Sequence, residues 1–467
     1  MPADIRLGNS RQMFPNPRAP KLLLTDTSGF PGPARLASGL AKLGCRISVA
    51  CPAKDDPLAK VRSVRQVYGY SSLRPMNSLL AAIEKCQPHF IIPCDDNAVQ
   101  HLHELYACAR RAGPSAAPLS SLIECSLGAP ESYHIVSSRY AFLATAREEG
   151  LPIPATHGLD CVGAQSAAAD APAWQQALNE LQHWTITQTF PIVLKADGTW
   201  GGSGVRIAHD PHQIQQSFFE LIRRPGFIAA AKRLLLNRDR FWLGSWWTRA
   251  RPDIIAQQYI DGRPANCAVF CWKGAVLAGI AAEVVSTRHA NGPATVVRLV
   301  DSPEMMQTAE RMVHRLRLSG FFGFDFVIDA HSQTPYLIEM NPRCTQLCHL
   351  QLGKNRDLMA ALYAQLSGEQ LHERLPVTHN DLAAYFPEAW TCHSEFLHSS
   401  FHDIPFDEPE LIAALLRPSR DRTFLGRALD SIRRELAKAR ASHNSGFHPQ
   451  PAASRSTPRM LGRKVEG

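Results

Sequence analysis

One stretch constrains this chain more than any other: "GFFGFDFVIDAHSQTPYLIEMNPR", Gly320–Arg343. Two apolar runs flank a polar turn, and in extended chain the residues i, i+2 and i+4 share a face. The segment therefore predicts a β-hairpin. Symmetric pairing about Ser332 sets Asp325 opposite Glu339, Phe326 opposite Ile338 and Ile328 opposite Tyr336. Phe324, Phe326, Ile328, Tyr336, Ile338 and Met340 then make one apolar face. Asp325, Glu339 and Asn341 gather on the other, with Arg343 continuing their line. Directly opposed residues have Cβ atoms about 5 Å apart, where like charges destabilise a sheet. Two carboxylates so placed ask for a cation. All-oxygen donors that include an amide carbonyl suit a hard ion such as Mg²⁺. The alternative is a solvated strand face carrying an accidental acid pair.

A second feature bears on that choice. "FPIVLKADGTWGGSGVRIA" (Phe190–Ala208) reads as two strands around the glycine-rich loop "DGTWGGSG". Such a loop lets backbone N–H groups come close to phosphate oxygens, and Lys195 supplies a cation beside it. The GxxxxGK[ST] spacing of a Walker A loop is absent. A phosphate loop upstream of a hard-metal site points to a nucleotide triphosphate held as its Mg²⁺ complex.

The rest of the chain sets the frame. "KLLLTD", "RISVAC" and "HFIIPCDD" read as strands, with helices around Ala34–Leu43 and Asn77–Lys85 between them. That alternation predicts a small parallel α/β domain. Asp95 and Asp96 stand where open parallel sheets bind ligands, but turn-forming acids are the favoured reading. "SSRYAFLATAREEGLPIPAT" (Ser137–Thr156) reads as a helix stopped by Gly150 and two prolines, and Gly163–Ala173 as a loose linker. From Phe190 the texture is hairpins, with turns at Asp261–Gly262 and Lys273–Gly274. A helix follows at about Pro303–Leu318, and the core is expected to end near Gly368.

The expected organisation is a loose N-terminus (1–20), an α/β domain (21–130), a two-lobed domain with antiparallel sheets (131–370), a C-terminal helical extension (371–440) and a basic disordered tail (441–467). Residues 417–467 hold 12 Lys+Arg against 4 Asp+Glu, so the whole net charge of +8 lies there. This stretch lacks interleaved aromatics, and neither nucleic acid nor a membrane is expected as a partner. No apolar run approaches the roughly 20 residues of a membrane span, and the start resembles no secretory signal. Twelve cysteines without a regular framework suit reduced thiols and a cytoplasmic location. Cys344, Cys348 and His349 offer too few close ligands for zinc and read as buried side chains. The Trp-rich segment Arg240–Trp247 and His289 carry no assigned chemistry.

Taken in order, Arg139, Lys195 with its glycine loop, "QQYIDG" and "DFVID…YLIEMNPR" resemble the ATP-grasp superfamily over roughly Ser137–Gly368. The likeness is to its carbamoyl-phosphate-synthetase-like and carboxylate–amine ligase branches. The N-terminal unit resembles the domain that precedes the ATP-grasp fold in that family. The resemblance implies that Arg139 and Lys195 contact ATP phosphates, under a flap of Gly201, Gly202, Ser203 and Gly204. It implies an adenine pocket at Gln257, Tyr259 and Ile260, with Mg²⁺ (or Mn²⁺) on Asp325, Glu339 and Asn341. Arg343 would steady a carboxylate or acyl phosphate, and Arg298, on a strand expected to face the site, would assist it. Two positions depart from the family: Gln257 stands where an acid is common, and Pro264 and Asn266 lie where a ribose-binding acid is usual. The implied reaction joins a small carboxylate to an amine at the expense of ATP. A carboxylating enzyme, a small-molecule kinase and a non-catalytic ATP-binding module are the alternatives. A homodimer is the base-rate expectation.

Overall fold

The computed structural model describes residues 19–29, 31–53, 56–161, 173–197, 204–222, 253–289, 292–369 and 373–417. The loose N-terminus to residue 18, nearly all of the linker, the Trp-rich segment and the basic tail lie outside the described residues.

"KLLLT" is apolar throughout because it is the central strand β1 (Lys21–Thr25), covered on both faces. Its sheet has the order β3-β2-β1-β4, with β2 at Arg46–Cys51, β3 at Val64–Gly69 and β4 at Phe90–Pro93. All three pairings are parallel, as helical crossovers require. The crossovers include α1 (Pro33–Lys42), with proline at its first position, and α2 (Pro75–Cys86). Strand β3 went unread because it is a half-exposed edge strand without an apolar run. After β4 the chain turns into α3 (Asp96–Ala112), and α4 (Ala117–Leu127) completes this part. The Asp95 carboxylate caps α3 by accepting from the Ala98 N–H at 2.9 Å.

The one-turn helix α5 (Tyr133–Val136) and α6 (Arg139–Glu148) lead into a second, antiparallel sheet of order β5-β8-β6-β7. Its strands are Thr156–Leu159, Ile192–Ala196 (β6), Val205–Ala208 (β7) and Ile254–Gln258 (β8). Helices α7 (Ala173–Thr185) and α8 (Pro211–Ile222) cover one face, where Leu181 and Phe218 meet Ile192, Leu194 and Ile254. The alternation of β6 turns Lys195 and Val193 to the other face.

The third sheet has the order β13-β12-β9-β10-β11-β14-β15. Its long strands are β9 (Gly262–Trp272), β10 (Ala275–Thr287), β11 (Ala294–Val300), β12 (Gly320–Asp329) and β13 (Pro335–Asn341). Helix α9 (Pro303–Leu316) lays Met305, Met312 and Leu316 on one face against Val269, Phe322 and Phe324. The other face packs on α1 and on α10 (Leu358–Ser367) through Ala268, Phe270 and Phe321. Thus the N-terminal sheet's helices and the large sheet share one core. The segment expected to be a helical extension holds helices at Glu388–Thr391 and Pro409–Leu415 and also adds strands β14 (Leu382–Ala384) and β15 (Phe401–His402) to this sheet. Tyr385, Phe386, Leu411 and Leu415 are buried, so the core continues well past Gly368. Strands of three and two residues show no alternation for a reader to find.

The opening hairpin forms, with one correction. Gly323, Phe324 and Asp325 pair with Asn341, Met340 and Glu339, but Phe326 pairs with Leu337 and Val327 with Tyr336. Ile338 is therefore the extra residue of a β-bulge, and Leu337, fully buried, takes the core place expected for Ile338. The bulge reconciles an acid pair at one end of the ribbon with an aliphatic side chain fixed in the core at the other.

Candidate active site

Helix α6 and the small antiparallel sheet meet the large sheet at its outer strand β13, and charged residues collect there. Asp325 and Glu339 are opposed across the ribbon, as the hairpin pattern required. Asp325 is held from both sides by amides: Asn266 Nδ2 donates to its Oδ1 at 2.7 Å and Asn341 Nδ2 to its Oδ2 at 3.0 Å. Burial and the neighbouring Glu339 push the Asp325 carboxyl up to about 6. Burial would raise Glu339 too, but Arg139 and Lys195 outweigh it and hold that carboxyl below its ordinary range.

Arg139 is placed by the first turn of α6, whose cap is the Ser138 hydroxyl. Its Nε and Nη2 both donate to Glu339 Oε1, at 2.9 and 2.7 Å. Its Nη1 donates to the Ala196 carbonyl and to Asp197 Oδ1, at 2.9 and 3.2 Å. Lys195 is buried on the inner face of β6, and its Nζ donates to the Ile338 carbonyl at 3.4 Å. That carbonyl belongs to the bulged residue, so the register break supplies an acceptor for the ammonium. Burial lowers the Lys195 pKa, Arg139 adds to the effect, and Glu339 and Asp325 oppose it.

Arg343 closes the set. Its Nη2 donates to Asn341 Oδ1 at 3.1 Å, its Nη1 to the Cys344 carbonyl at 3.4 Å, and its Nε to Asp96 Oδ1 at 3.3 Å. Asn266, Asp325, Asn341, Arg343 and Asp96 therefore form one connected polar chain, from the middle of the large sheet to the N-terminal domain.

Of the residues singled out in the sequence, Arg139, Lys195, Asp325, Glu339, Asn341 and Arg343 come together. Gln257 lies on the Lys195 face of the small sheet, opposite Val193, and its amide donates to Thr156 Oγ1 at 3.2 Å. Tyr259 and Ile260 form the link from β8 to β9, where the Tyr259 N–H donates to the Pro191 carbonyl at 3.3 Å. Gly204 stands at the start of β7, its carbonyl accepting from the Ala196 N–H at 3.0 Å. Gly201, Gly202 and Ser203 lie outside the described residues.

Arg298 does not join the set, which corrects the expectation that its strand presents it to the site. It pairs with Glu283, which pairs with Ala265, one position out of step with Asn266 and Asp325. Side chains alternate, so Arg298 emerges on the opposite face, 3.4 Å from Asp381. Cys344 and Cys348 are buried, and His349 lies 2.9 Å from Asp403. All twelve cysteines are free thiols.

Three contributors were missed. Asn266, noted only as standing near a ribose position, faces Asp325 through pairing between strands nearly sixty residues apart, a contact with no local signal. Asp197 was read only as part of the glycine loop. Asp96 was set aside as a turn former; that reading fits Asp95, which caps α3, but Asp96 reaches Arg343.

Residues 179–346 match the family model of the ATP-grasp domain. Among solved structures, N5-carboxyaminoimidazole synthetase from Staphylococcus aureus, complexed with ADP, superposes with a TM-score of 0.51 at 13% identity, covering 78% of this chain and 82% of that one. The biotin carboxylase domain of 2-oxoglutarate carboxylase from Hydrogenobacter thermophilus, complexed with MgADP, ADP and bicarbonate, gives 0.50 at 14% identity, over 76% and 71%. Carboxyaminoimidazole ribonucleotide synthase from Aspergillus clavatus, complexed with ATP, gives 0.50 at 13%, over 78% and 79%. At such identities the likeness is one of fold. No curated protein matches the chain by sequence. Among the described residues no helix is long and apolar enough to cross a membrane.

Proposed function

We propose that the chain is an ATP-dependent ligase that activates a small carboxylate as an acyl phosphate and joins it to an amine. The observation that carries this reading is the convergence of Arg139, Lys195 and Arg343 on the acid pair Asp325–Glu339 and the amide of Asn341.

The donor set fits Mg²⁺ or Mn²⁺. A hard cation that keeps its own water and phosphate ligands needs only one or two carboxylates. Asp325 and Glu339 provide these, and Asn341 adds an amide oxygen. When bound there, the ion supplies neutralisation of phosphate charge.

The chain's own residues do the rest. Arg139 and Lys195, parked on Glu339 and on the Ile338 carbonyl, are placed to receive phosphate oxygens beside the glycine loop. Val193 and Gln257 offer an apolar and an amide surface for a base on the same face of the small sheet. Carboxylate oxygen attacks the γ-phosphorus, forming the acyl–O–P bond as the bond to ADP breaks. The amine then adds to the acyl carbon, inorganic phosphate leaves, and the nitrogen gives up a proton. Arg343 is the guanidinium bonded to Asn341 rather than to the acid pair, and it is suited to the carboxylate and to the oxyanion of the second step.

Hydroxylamine tests the proposal, since it captures an acyl phosphate as a hydroxamate while ADP is released. Arg343→Ala is expected to slow ADP release about 10²–10³-fold with ATP saturating. ADP release without hydroxamate would assign the chain instead to phosphorylation of a stable acceptor.

A further inference from the structure

We propose that Asp96 is a placeholder carboxylate, seated on Arg343 until the acid substrate displaces it, and so tunes affinity for that substrate. The inference rests on the reading of Arg343 given above and goes beyond it by assigning a residue of the N-terminal domain.

Arg343 has its three nitrogens engaged, each by a different kind of partner. Nη1 is on a backbone carbonyl and Nη2 on the Asn341 amide, while Nε alone faces a carboxylate, Asp96 Oδ1 at 3.3 Å. A carboxylate recognised by a guanidinium prefers two parallel N–H donors along one edge. The edge holding Nε is the one that Asp96 occupies, with a single long contact.

The adjacent acid shows how different a structural role looks. Asp95 accepts from the Ala98 N–H and the Thr27 hydroxyl, each at 2.9 Å, and from the Thr27 N–H at 2.5 Å. It pins β1 to the start of α3. Asp96 makes no comparable set of bonds, and its side chain is 41% exposed against 20% for Arg343. It can therefore rotate into solvent while Asp95 keeps the backbone still. Arg343 stays in place meanwhile, through Asn341 and the Cys344 carbonyl. Replacing one carboxylate by another leaves the charge of the half-buried guanidinium matched throughout, which a vacant fork would not.

The test uses the full chain with MgATP and hydroxylamine, and with acetate, glycine, L-glutamate and bicarbonate as probes, read by ADP release. Asp96→Asn keeps the shape and removes the charge; it is expected to lower the KM of whichever probe is turned over by about three- to tenfold, with a smaller change in KM for ATP. Asp96→Ser serves as a second variant should the first fold poorly. In an Arg343→Lys background the same substitution is expected to have less than half that effect, because the fork it vacates is gone. An unchanged or raised KM for the acid in both Asp96 variants overturns the placeholder role while leaving the ligase reading intact. No turnover of any probe by the unsubstituted chain overturns the ligase reading, and this inference with it.

Discussion

Asp325 is the residue on which charge is least balanced, and its chemistry has a consequence that can be measured without any substrate. Its pKa in the folded chain, about 6, lies above the ordinary 3.8. The native state therefore binds a proton here more tightly than the unfolded chain does, and it loses stability as pH rises from about 4 through about 6. Asp325→Asn removes that dependence. Without metal, the variant is expected to melt about 1–3 °C above the unsubstituted chain at pH 7, and no higher at pH 4, by scanning calorimetry. Identical profiles at both pH values would show that neither burial nor Glu339 raises the Asp325 carboxyl. Much at this scale was legible, because a period of two needs only the sequence of one hairpin. Asn266 and Asp96 were not, since each meets its partner through pairing that the chain makes far away.

At the scale of elements, the hairpin shows where pattern reading stops. Alternation alone predicted symmetric pairing, yet Leu337 is wholly buried and Ile338 is the bulged residue. A one-residue slip exchanges faces, so only the packing of the core decides which aliphatic side chain goes in. The passage from β8 to β9 is similar: "DG" reads as a hairpin turn, but the chain there crosses from the small sheet to the large one. Gly262 makes that crossing against the backbone of β12, where an added Cβ would lie 2.0 Å from the Ile328 carbonyl oxygen. Gly262→Ala is expected to cost about 1–3 kcal/mol, read from the urea midpoint. An unshifted midpoint would mean that β9 and β12 separate easily at this end.

Over the whole molecule, the C-terminal segment is structural rather than appended. Asp403 lies between Arg35 of α1, at 3.0 Å, and His349, at 2.9 Å, and it accepts from the Phe386 N–H at 2.6 Å. Arg35 also donates to the Phe386 carbonyl. Both acid and guanidinium are nearly inaccessible, at 3% and 4% exposure, so this contact is a buried ion pair joining three parts of the chain. Removing one partner leaves the other charged and dry, and Asp403→Ala is expected to cost about 3–5 kcal/mol in urea unfolding. A loss below about 1 kcal/mol would indicate that water reaches Arg35. No local pattern announces this joint, because isolated acids in "FHDIPFDEP" look like ordinary loop residues.

Lys195 has one further consequence, outside catalysis. Strand β13 is the outermost strand of the seven-stranded sheet, and an uncovered outer strand is a template on which a second molecule can add its own. Here the bulge interrupts the ladder, the Ile338 carbonyl is taken by the Lys195 ammonium, and the Leu337 N–H donates to the Pro152 carbonyl at 2.9 Å. The amine proposed to meet phosphate thus also occupies a backbone acceptor that an added strand would otherwise use.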